Sequence, residues 1–482
     1  MNLRIRDGDI HVAELQTRMP FKYGIATMTR APHAFVRLHV EVDGVVATGI
    51  AADLLPPKWF TKDPARDLDD EVAEMARVIE HAVSLAAGLA ADSPWRLWRQ
   101  IWDCQSYWGL GEELPPLLLH FGTSLVERAL IEACCRAAGQ PFARLLAANW
   151  FGIRLEELHP ALKAAQLADL LPKQPLPRVL ARHTIGLADP LESSDIAPAE
   201  RLDDGLPQSL ADCIRAYGLR HFKIKVNGHI DRDLERLGRI AGLIKDHTPP
   251  DFAFSLDGNE QFRSVNDFMV FWNEVTRAPG LRTFFKHLLF VEQPFHRDIA
   301  LEPSAMRRLG DWAERPPFII DESDGDLYSV AQALRLGYAG TSYKNCKGVF
   351  KGIANACLLA HRRPEHPELT TILSGEDLAN IGPVALLQDL AVCAALGIGS
   401  IERNGHHYFA GLSMFPAGVQ ERMLTAHGDL YQRSRDGWPT LAVRDGGLDL
   451  GSVNAAPFGV GVEVDVDQFP SLAAWRSGRS ND

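Results

Sequence analysis

The chain has 482 residues, of which 46% are hydrophobic and 23% charged, a composition typical of a globular protein with a large buried core. Its formal net charge of -12 argues against a nucleic-acid partner, because an acidic surface repels the phosphate backbone. The seven cysteines form no C-x-x-C pair, and the sequence has neither a signal-peptide pattern nor an apolar run of membrane-spanning length. We therefore expect a cytoplasmic protein with reduced thiols that does not bind membranes.

The first 150 residues are predicted to form an α+β domain. Residues 34–42 and 45–49 alternate apolar and polar side chains on either side of Asp43-Gly44, a pattern typical of a β-hairpin. From about residue 64 to 147 the apolar spacing becomes helical. Prolines at positions 172, 175 and 177 then indicate a linker.

From about residue 180 to 415, short apolar runs alternate with amphipathic helical segments. The predicted strands are Arg182–Leu187, Phe222–Val226, Phe252–Asp257, Leu288–Glu292, Phe318–Asp321, Gly340–Lys344, Thr370–Ser374 and Gly399–Glu402. Such alternation predicts parallel βαβ units, and a closed barrel of the TIM type is the simplest architecture. A doubly wound open sheet is the alternative, but no G-x-G-x-x-G motif follows the first strand to favour it.

The C-terminal segment, residues 416–482, is predicted to return to the N-terminal domain. Apolar and acidic residues alternate from Val460 to Val466, as expected of a strand. We expect residues 455–482 to complete the N-terminal domain with this strand.

Three acidic residues each close a predicted strand: Asp257, Glu292 and Asp321. A carboxylate at the end of a buried strand is costly unless a positive charge holds it. One such acid is explained more simply as a helix cap or the partner of a lysine. Three on consecutive strands, which lie about 4.8 Å apart, favour a shared cation. All-oxygen ligation suits a hard ion such as Mg²⁺.

Lysines lie on both sides of these acids. Lys223 and Lys225 point to the same side of the second strand, and Lys344 ends the sixth strand, across the barrel. A substrate held between them could lose a proton on one face and regain it on the other. Lys223 would lower the pKa of Lys225 toward neutrality, as a base requires. The alternative is that Lys223 and Lys225 are solvated residues of an edge strand.

These residues resemble the motifs of the enolase superfamily, on its muconate lactonizing enzyme and mandelate racemase side. The matching segments are Lys223-Ile224-Lys225, Asp257-Gly258-Asn259, Val291-Glu292-Gln293-Pro294, Asp321-Glu322-Ser323 and Lys344. The resemblance implies a modified TIM barrel of the (β/α)7β type with an N-terminal α+β capping domain. It also implies that Mg²⁺ is the cofactor.

The resemblance assigns roles to individual residues. Lys225 and Lys344 would be the acid/base catalysts, with Lys223 adjusting Lys225. The Mg²⁺ ligands would be Asp257, Glu292 and Asp321. Capping loops near residues 19–29 and 52–60 would close the site and select the substrate.

The chain departs from the family pattern around the substrate pocket. The segment from Asp257 to Glu292 is longer than the resemblance implies, and extra residues occur near 150–215 and 405–450. Polar residues in the last two strand loops are predicted to bind substrate: Glu376, Glu402 and Asn404. A histidine base is not expected, because residues 370–380 contain no histidine; His406 and His407 are interpreted as loop or pocket-wall residues.

The sequence therefore predicts Mg²⁺-dependent removal of a proton α to a carboxylate, with an enediolate intermediate. A lysine on each face favours an isomerase: an epimerase, racemase or cycloisomerase. A lyase that dehydrates an acid sugar or hydroxy acid is the alternative within the superfamily. A non-catalytic binding protein with the same fold is the alternative of another class. The expected partners are a small carboxylate substrate and further copies of the chain in a homo-oligomer.

Overall fold

The computed structural model describes residues 1–23, 25–367 and 369–479. The chain begins with an antiparallel sheet in the order β3-β2-β1-β4, formed by β1 (Leu3–Tyr23), β2 (Ala26–Val42), β3 (Val45–Leu54) and β4 (Ala90–Ala91). Asp43 and Gly44 join β2 to β3, as predicted. Their φ angles of 49° and 87° suit a two-residue hairpin turn.

Helices cover this sheet, and sheet and helices together are called the cap below. They are α1 (Leu68–Ala86), α2 (Pro94–Glu112), α3 (Pro116–Ala138) and α4 (Phe142–Ala147). Every residue of α3 from Leu117 to Cys135 is buried, because this helix packs against α1, α2 and β3 and also against a later helix, Val349–Glu365. A helix that is buried all round is typical of the interior of a large protein.

Eight parallel strands form a closed barrel. They are β5 (Arg178–Ile185), β6 (His221–Lys225), β7 (Ala253–Asp257), β8 (Leu288–Glu292), β9 (Phe318–Ile320), β10 (Gly340–Tyr343), β11 (Ile372–Gly375) and β12 (Ser400–Arg403). Each strand pairs with the next along the chain, and the pairing of β12 with β5 closes the ring. The predicted TIM-type barrel with an N-terminal α+β domain is therefore confirmed, and the open-sheet alternative is wrong.

The connections between the strands are helical. They contain α6 (Leu210–Tyr217), α7 (Ile230–His247), α8 (Val265–Arg277), α9 (Leu281–Phe284), α10 (Arg297–Ala300), α11 (Pro303–Asp311), α12 (Ser329–Arg335), α13 (Val349–Glu365) and α14 (Ala385–Leu396). The short helix α5 (Leu167–Leu170) precedes the barrel, and α15 (Gly405–Tyr408) follows β12. No helix in the described part of the chain has the length and hydropathy needed to cross a membrane.

The C-terminal segment contacts both the barrel and the cap. It contains α16 (Ala417–Ala426), β13 (Tyr431–Arg433), β14 (Pro439–Leu441), β15 (Gly447–Asp449), α17 (Gly451–Ala455) and α18 (Leu472–Arg479). Strand β15 pairs antiparallel with the start of β5. Farther on, the Val12 amide donates to the Pro470 carbonyl at 2.9 Å, which joins the segment to the first strand of the cap.

The strand predicted from Val460 to Val466 is wrong. The valines of this stretch are buried and the residues between them are exposed, which explains the alternation in the sequence. The backbone nevertheless has no strand partner there. One-sided burial of an irregular segment produces the same pattern as a half-buried strand.

Gly122 lies where helices α1 and α3 of the cap approach each other closely. A Cβ at this position would lie 2.1 Å from the Val78 carbonyl oxygen of α1. We expect Gly122→Ala to lower the free energy of unfolding by roughly 1–3 kcal/mol, because an added methyl group would force the helices apart. Urea denaturation followed by circular dichroism measures the change.

Gly111→Ala is the matched control, because a Cβ at this position of α2 would meet no atom within 4 Å. This variant should be as stable as the parent or slightly more stable, since alanine favours the helix. Equal stabilities for the two variants would contradict the close approach of α1 and α3.

Candidate active site

The register of β6 places both of its lysines inside the barrel. Phe222 and Ile224 pack in the apolar core, on the side of the strand away from the lysines, and both are buried. Lys223 and Lys225 alternate with them and are 1% and 7% exposed. Since side chains on a strand alternate between its faces, the two lysines enter the interior together.

Lys223 lies at the centre of the charged cluster. Its Nζ is 2.7–3.0 Å from oxygens of four carboxylates, those of Asp257, Glu292, Glu376 and Glu402. Burial alone would lower the pKa of Lys223, but the charges of these carboxylates raise it well above its ordinary value. Lys223 is therefore a fixed positive charge around which the acids gather.

Lys225 shares one of these acids. Its Nζ lies 2.7 Å from Asp257 Oδ2, the same oxygen that is 3.0 Å from Lys223 Nζ. Burial raises the pKa of Asp257, yet the two lysines together bring it below its ordinary value. Lys223 thus has the proximity to Lys225 that its predicted role requires.

Asp321 forms a second cluster across the barrel. Lys344 Nζ lies 2.6 Å from Asp321 Oδ2, and Lys347 Nζ lies 2.8 Å from Asp321 Oδ1. The Ser342 hydroxyl also donates to this carboxylate, and the Gln293 side-chain oxygen accepts from the Asp321 amide at 2.7 Å. Burial raises the pKa of Asp321, but the lysines outweigh it and hold the pKa well below its usual range.

The carboxylates predicted to bind metal are near one another but not at ligand spacing. The oxygens of Asp257, Glu292 and Asp321 are not all within 4.8 Å of one another. Octahedral Mg²⁺, with bonds of about 2.1 Å, requires oxygens no more than roughly 4.2 Å apart. In this structure the carboxylates are paired with lysines. A metal would require the carboxylate oxygens to move closer together.

The chemistry of the donor set nevertheless fits Mg²⁺. All the candidate ligands are oxygens, which a hard cation prefers. Two buried oxygens in this region, Glu292 Oε2 and Asn259 Oδ1, accept no hydrogen bond. Glu292 Oε2 lies 2.7 Å from Lys223 Nζ, but that contact lacks hydrogen-bond alignment. Buried acceptor oxygens that accept no hydrogen bond are suited to a cation.

The predicted substrate-binding residues divide into two groups. Glu402 and Asn404 line the cavity, and the Asn404 side-chain amide donates to Glu402 Oε1 at 3.0 Å. Glu376 is fully buried and is not part of the lining; it accepts hydrogen bonds from Arg182, Ser374 and Lys223. Its neighbour Asp377 lines the cavity instead.

The cavity lies between the barrel and the two predicted capping loops. Phe21 and Met28 from one loop and Pro56 and Trp59 from the other form its apolar wall. The polar wall contains Lys223, Lys225, Asp257, Asn259, Asp321, Lys344, Asp377, Glu402 and Asn404.

The loop around Trp59 is fastened to the barrel by Arg297. The guanidinium donates to the Phe60 carbonyl at 2.6 Å and the Trp59 carbonyl at 3.0 Å, and Glu260 holds it from the other side. Lys62 adds a 3.0 Å ion pair to Glu260. The Trp59 ring consequently lies over Lys344, with its centroid 4.6 Å from Nζ.

Sequence reasoning missed several of these residues. Lys347 lies one helical turn after Lys344, a spacing that the sequence does display. Arg297 and Glu260 carry no motif, and only the folded chain brings them to the loop. His406 and His407, interpreted as loop or pocket-wall residues, do not line the cavity; they are buried in α15.

No protein-family profile matches the chain, and no curated protein matches its sequence. Solved structures do match. The muconate lactonizing enzyme of Pseudomonas fluorescens, determined with muconolactone, has a TM-score of 0.61 and 16% identity over 96% of this chain and 98% of its own. The N-succinyl Arg/Lys racemase of Bacillus cereus has a TM-score of 0.60 and 15% identity over 97% and 98%.

The dipeptide epimerase of Enterococcus faecalis, determined with Mg and L-Leu-L-Tyr, has a TM-score of 0.59 and 15% identity over 95% of this chain and 99% of its own. The chain has the fold of these enzymes. The resemblance predicted from the motifs is thus confirmed for the fold, and the reaction has to be argued from the site.

Arg297→Gln should release the loop that contains Trp59. Hydrogen bonds to a charged group contribute about 1.5–3 kcal/mol, so amide exchange in residues 58–63 should become roughly tenfold faster or more. Hydrogen–deuterium exchange followed by mass spectrometry measures this rate.

Arg263→Gln is the control for this experiment. Arg263 is close in sequence to Glu260, but it forms a 3.3 Å contact with Asp298 at the surface. It should leave exchange in residues 58–63 unchanged. Unaltered exchange in the Arg297→Gln variant would mean that Arg297 does not hold the loop.

Proposed function

We propose that this protein abstracts a proton α to a carboxylate and returns it elsewhere on the substrate, as an isomerase. The observation that carries the proposal is the position of Lys225 and Lys344. The two lysines line one cavity from β6 and from the end of β10, the second and sixth strands of an eight-stranded ring. They therefore face a bound substrate from opposite sides.

The metal would be held by Asp257, Glu292 and Asp321. Bound there, Mg²⁺ would supply Lewis-acid stabilisation for a carboxylate substrate and would take oxygens that lysines now hold. The Mg-containing dipeptide epimerase structure, which shares the fold, supports this cofactor.

The two lysines have similar surroundings. Each Nζ lies beside an aspartate predicted to bind the metal: Lys225 is 2.7 Å from Asp257, and Lys344 is 2.6 Å from Asp321. Once a metal takes these carboxylates, either lysine could be the base that removes the α proton, and the other would protonate the resulting enediolate on the opposite face.

Asp377 gives some support to the lyase alternative. Burial raises the pKa of this cavity-lining carboxyl to about 7, even though Arg403 lies 2.7 Å away and opposes the rise. A protonated carboxyl beside the substrate could assist the departure of a β-hydroxyl group. A non-catalytic role is not favoured, because both proposed acid/base lysines and two of the three proposed metal ligands, Asp257 and Asp321, line one cavity.

Deuterium exchange tests the isomerase proposal. The protein is incubated with Mg²⁺ in D₂O with amino-acid derivatives, dipeptides and hydroxy acids, and substrate deuteration is followed by NMR. Lys225→Ala and Lys344→Ala should each slow exchange at least about 100-fold, since each removes an acid/base group. Lys173→Ala, at an exposed position, should not.

The outcomes separate the alternatives. An epimer or isomer that accumulates in parallel with deuteration supports an isomerase, whereas a dehydrated product supports a lyase. If no carboxylate exchanges and no Mg²⁺ binds, the protein is not an enzyme of this class.

Metal binding can be measured without a substrate. Asp257→Asn and Asp321→Asn should each weaken Mg²⁺ binding by roughly tenfold or more in calorimetric titrations, because each removes a charged ligand. Asp324→Asn is the matched control. Asp324 is also buried after β9, but it pairs with Lys351 and does not line the cavity. Equal affinities in all three variants would place the metal elsewhere.

A further inference from the structure

A second cluster of chemically active side chains lies outside the barrel wall. In β5, Arg182 and Thr184 point into the barrel, where they bond to Glu376 and Glu402, so His183 between them points outward. There it meets Cys213 of α6 and His407 of α15. Two imidazoles and a thiol from three segments distant in sequence thus lie close together.

The three side chains are close together and fully enclosed. One ligand atom of each lies within 4.8 Å of the other two, and Cys213 Sγ is 3.5 Å from His407 Nδ1. In a tetrahedral zinc site, with bonds of about 2.3 Å to sulfur and 2.0–2.1 Å to nitrogen, neighbouring ligands lie roughly 3.3–3.7 Å apart. None of the three residues is more than 2% exposed.

We propose that His183, Cys213 and His407 bind one Zn²⁺ ion in a structural site that is separate from the proposed Mg²⁺ site. Thiolate and imidazole ligands select zinc or similar borderline ions over Mg²⁺ and Ca²⁺.

A fourth side chain adjoins the cluster. The ring of His406 contacts His183, with His183 Nδ1 and His406 Nε2 3.2 Å apart. His406 is buried, and its Nδ1 has no hydrogen-bond partner. His406 is not in the group whose ligand atoms all lie within 4.8 Å of one another, so it would orient His183 rather than bind the ion.

The position of the site indicates what the ion would stabilise. His407 accepts a 2.9 Å hydrogen bond from Arg18 of the cap through its carbonyl. Thr184, next to His183, donates to Glu402 at 2.7 Å. A metal here would tie β5, α6 and α15 together directly behind the wall of the cavity that carries Glu402.

Metal content tests the proposal on the full chain. The protein, kept reduced, is incubated with Zn²⁺, freed of excess by gel filtration and analysed by mass spectrometry of metals; about one zinc ion per chain should remain. Loading with Co²⁺ should produce a thiolate-to-cobalt charge-transfer band, which an all-oxygen site cannot give. A chain that retains no zinc and shows no such band overturns the proposal.

Two variants locate the ion. Cys213→Ser should abolish the cobalt band and reduce zinc retention at least tenfold, and His407→Asn should reduce retention similarly. Cys357→Ser is the matched control, since Cys357 is also a free, fully buried thiol, and it should retain the zinc. Retention by the Cys213→Ser variant, or loss from the control alone, overturns the assignment. If the variants do not fold, the measurements on the parent chain decide.

Discussion

The charge balance inside the barrel is the constraint on which the rest of the site depends. Lys223 stands among four carboxylates, and Asp321 stands between two lysines. An unpaired charge at such depth would cost several kcal/mol, so each acid can be buried only beside a cation. The same pairing fixes which carboxylates face the cavity and how far apart they lie.

This network also connects the barrel to the cap. Lys344 pairs with Asp321 on one side and meets the Trp59 ring on the other. The loop that carries Trp59 is held in turn by Arg297 and Glu260, which belong to the barrel. The loop expected to select the substrate is therefore positioned by ion pairs that begin at the strand ends.

The sequence could predict the barrel because short apolar runs and amphipathic helices alternate so regularly. The bounds of β8 match the prediction, whereas β5 begins earlier than expected because β15 and β12 pair with its first residues. The sequence does not show which side chains of β11 point into the barrel. A shift of one residue in this strand decides whether Glu376 or Asp377 faces the cavity.

Contacts between distant segments were beyond sequence reasoning. The inward positions of Lys223 and Lys225 follow from alternation along one strand, but their ion pairs with Asp257 and Glu292 join different strands and depend on tertiary packing. The cluster of His183, Cys213 and His407 depends on the ring closure that brings β12 beside β5. No local sequence pattern predicts that these three residues lie together.

The return of the C-terminal segment to the cap has a consequence for the order of folding. The aromatic ring of Phe469 stacks on Phe35 of β2 at 5.0 Å, and Trp475 donates to Glu14 of β1 at 2.6 Å. These partners are synthesised only after the whole barrel. During translation, part of the apolar face of the first sheet therefore remains uncovered until the barrel has emerged from the ribosome. The sheet is synthesised before the barrel but completed after it.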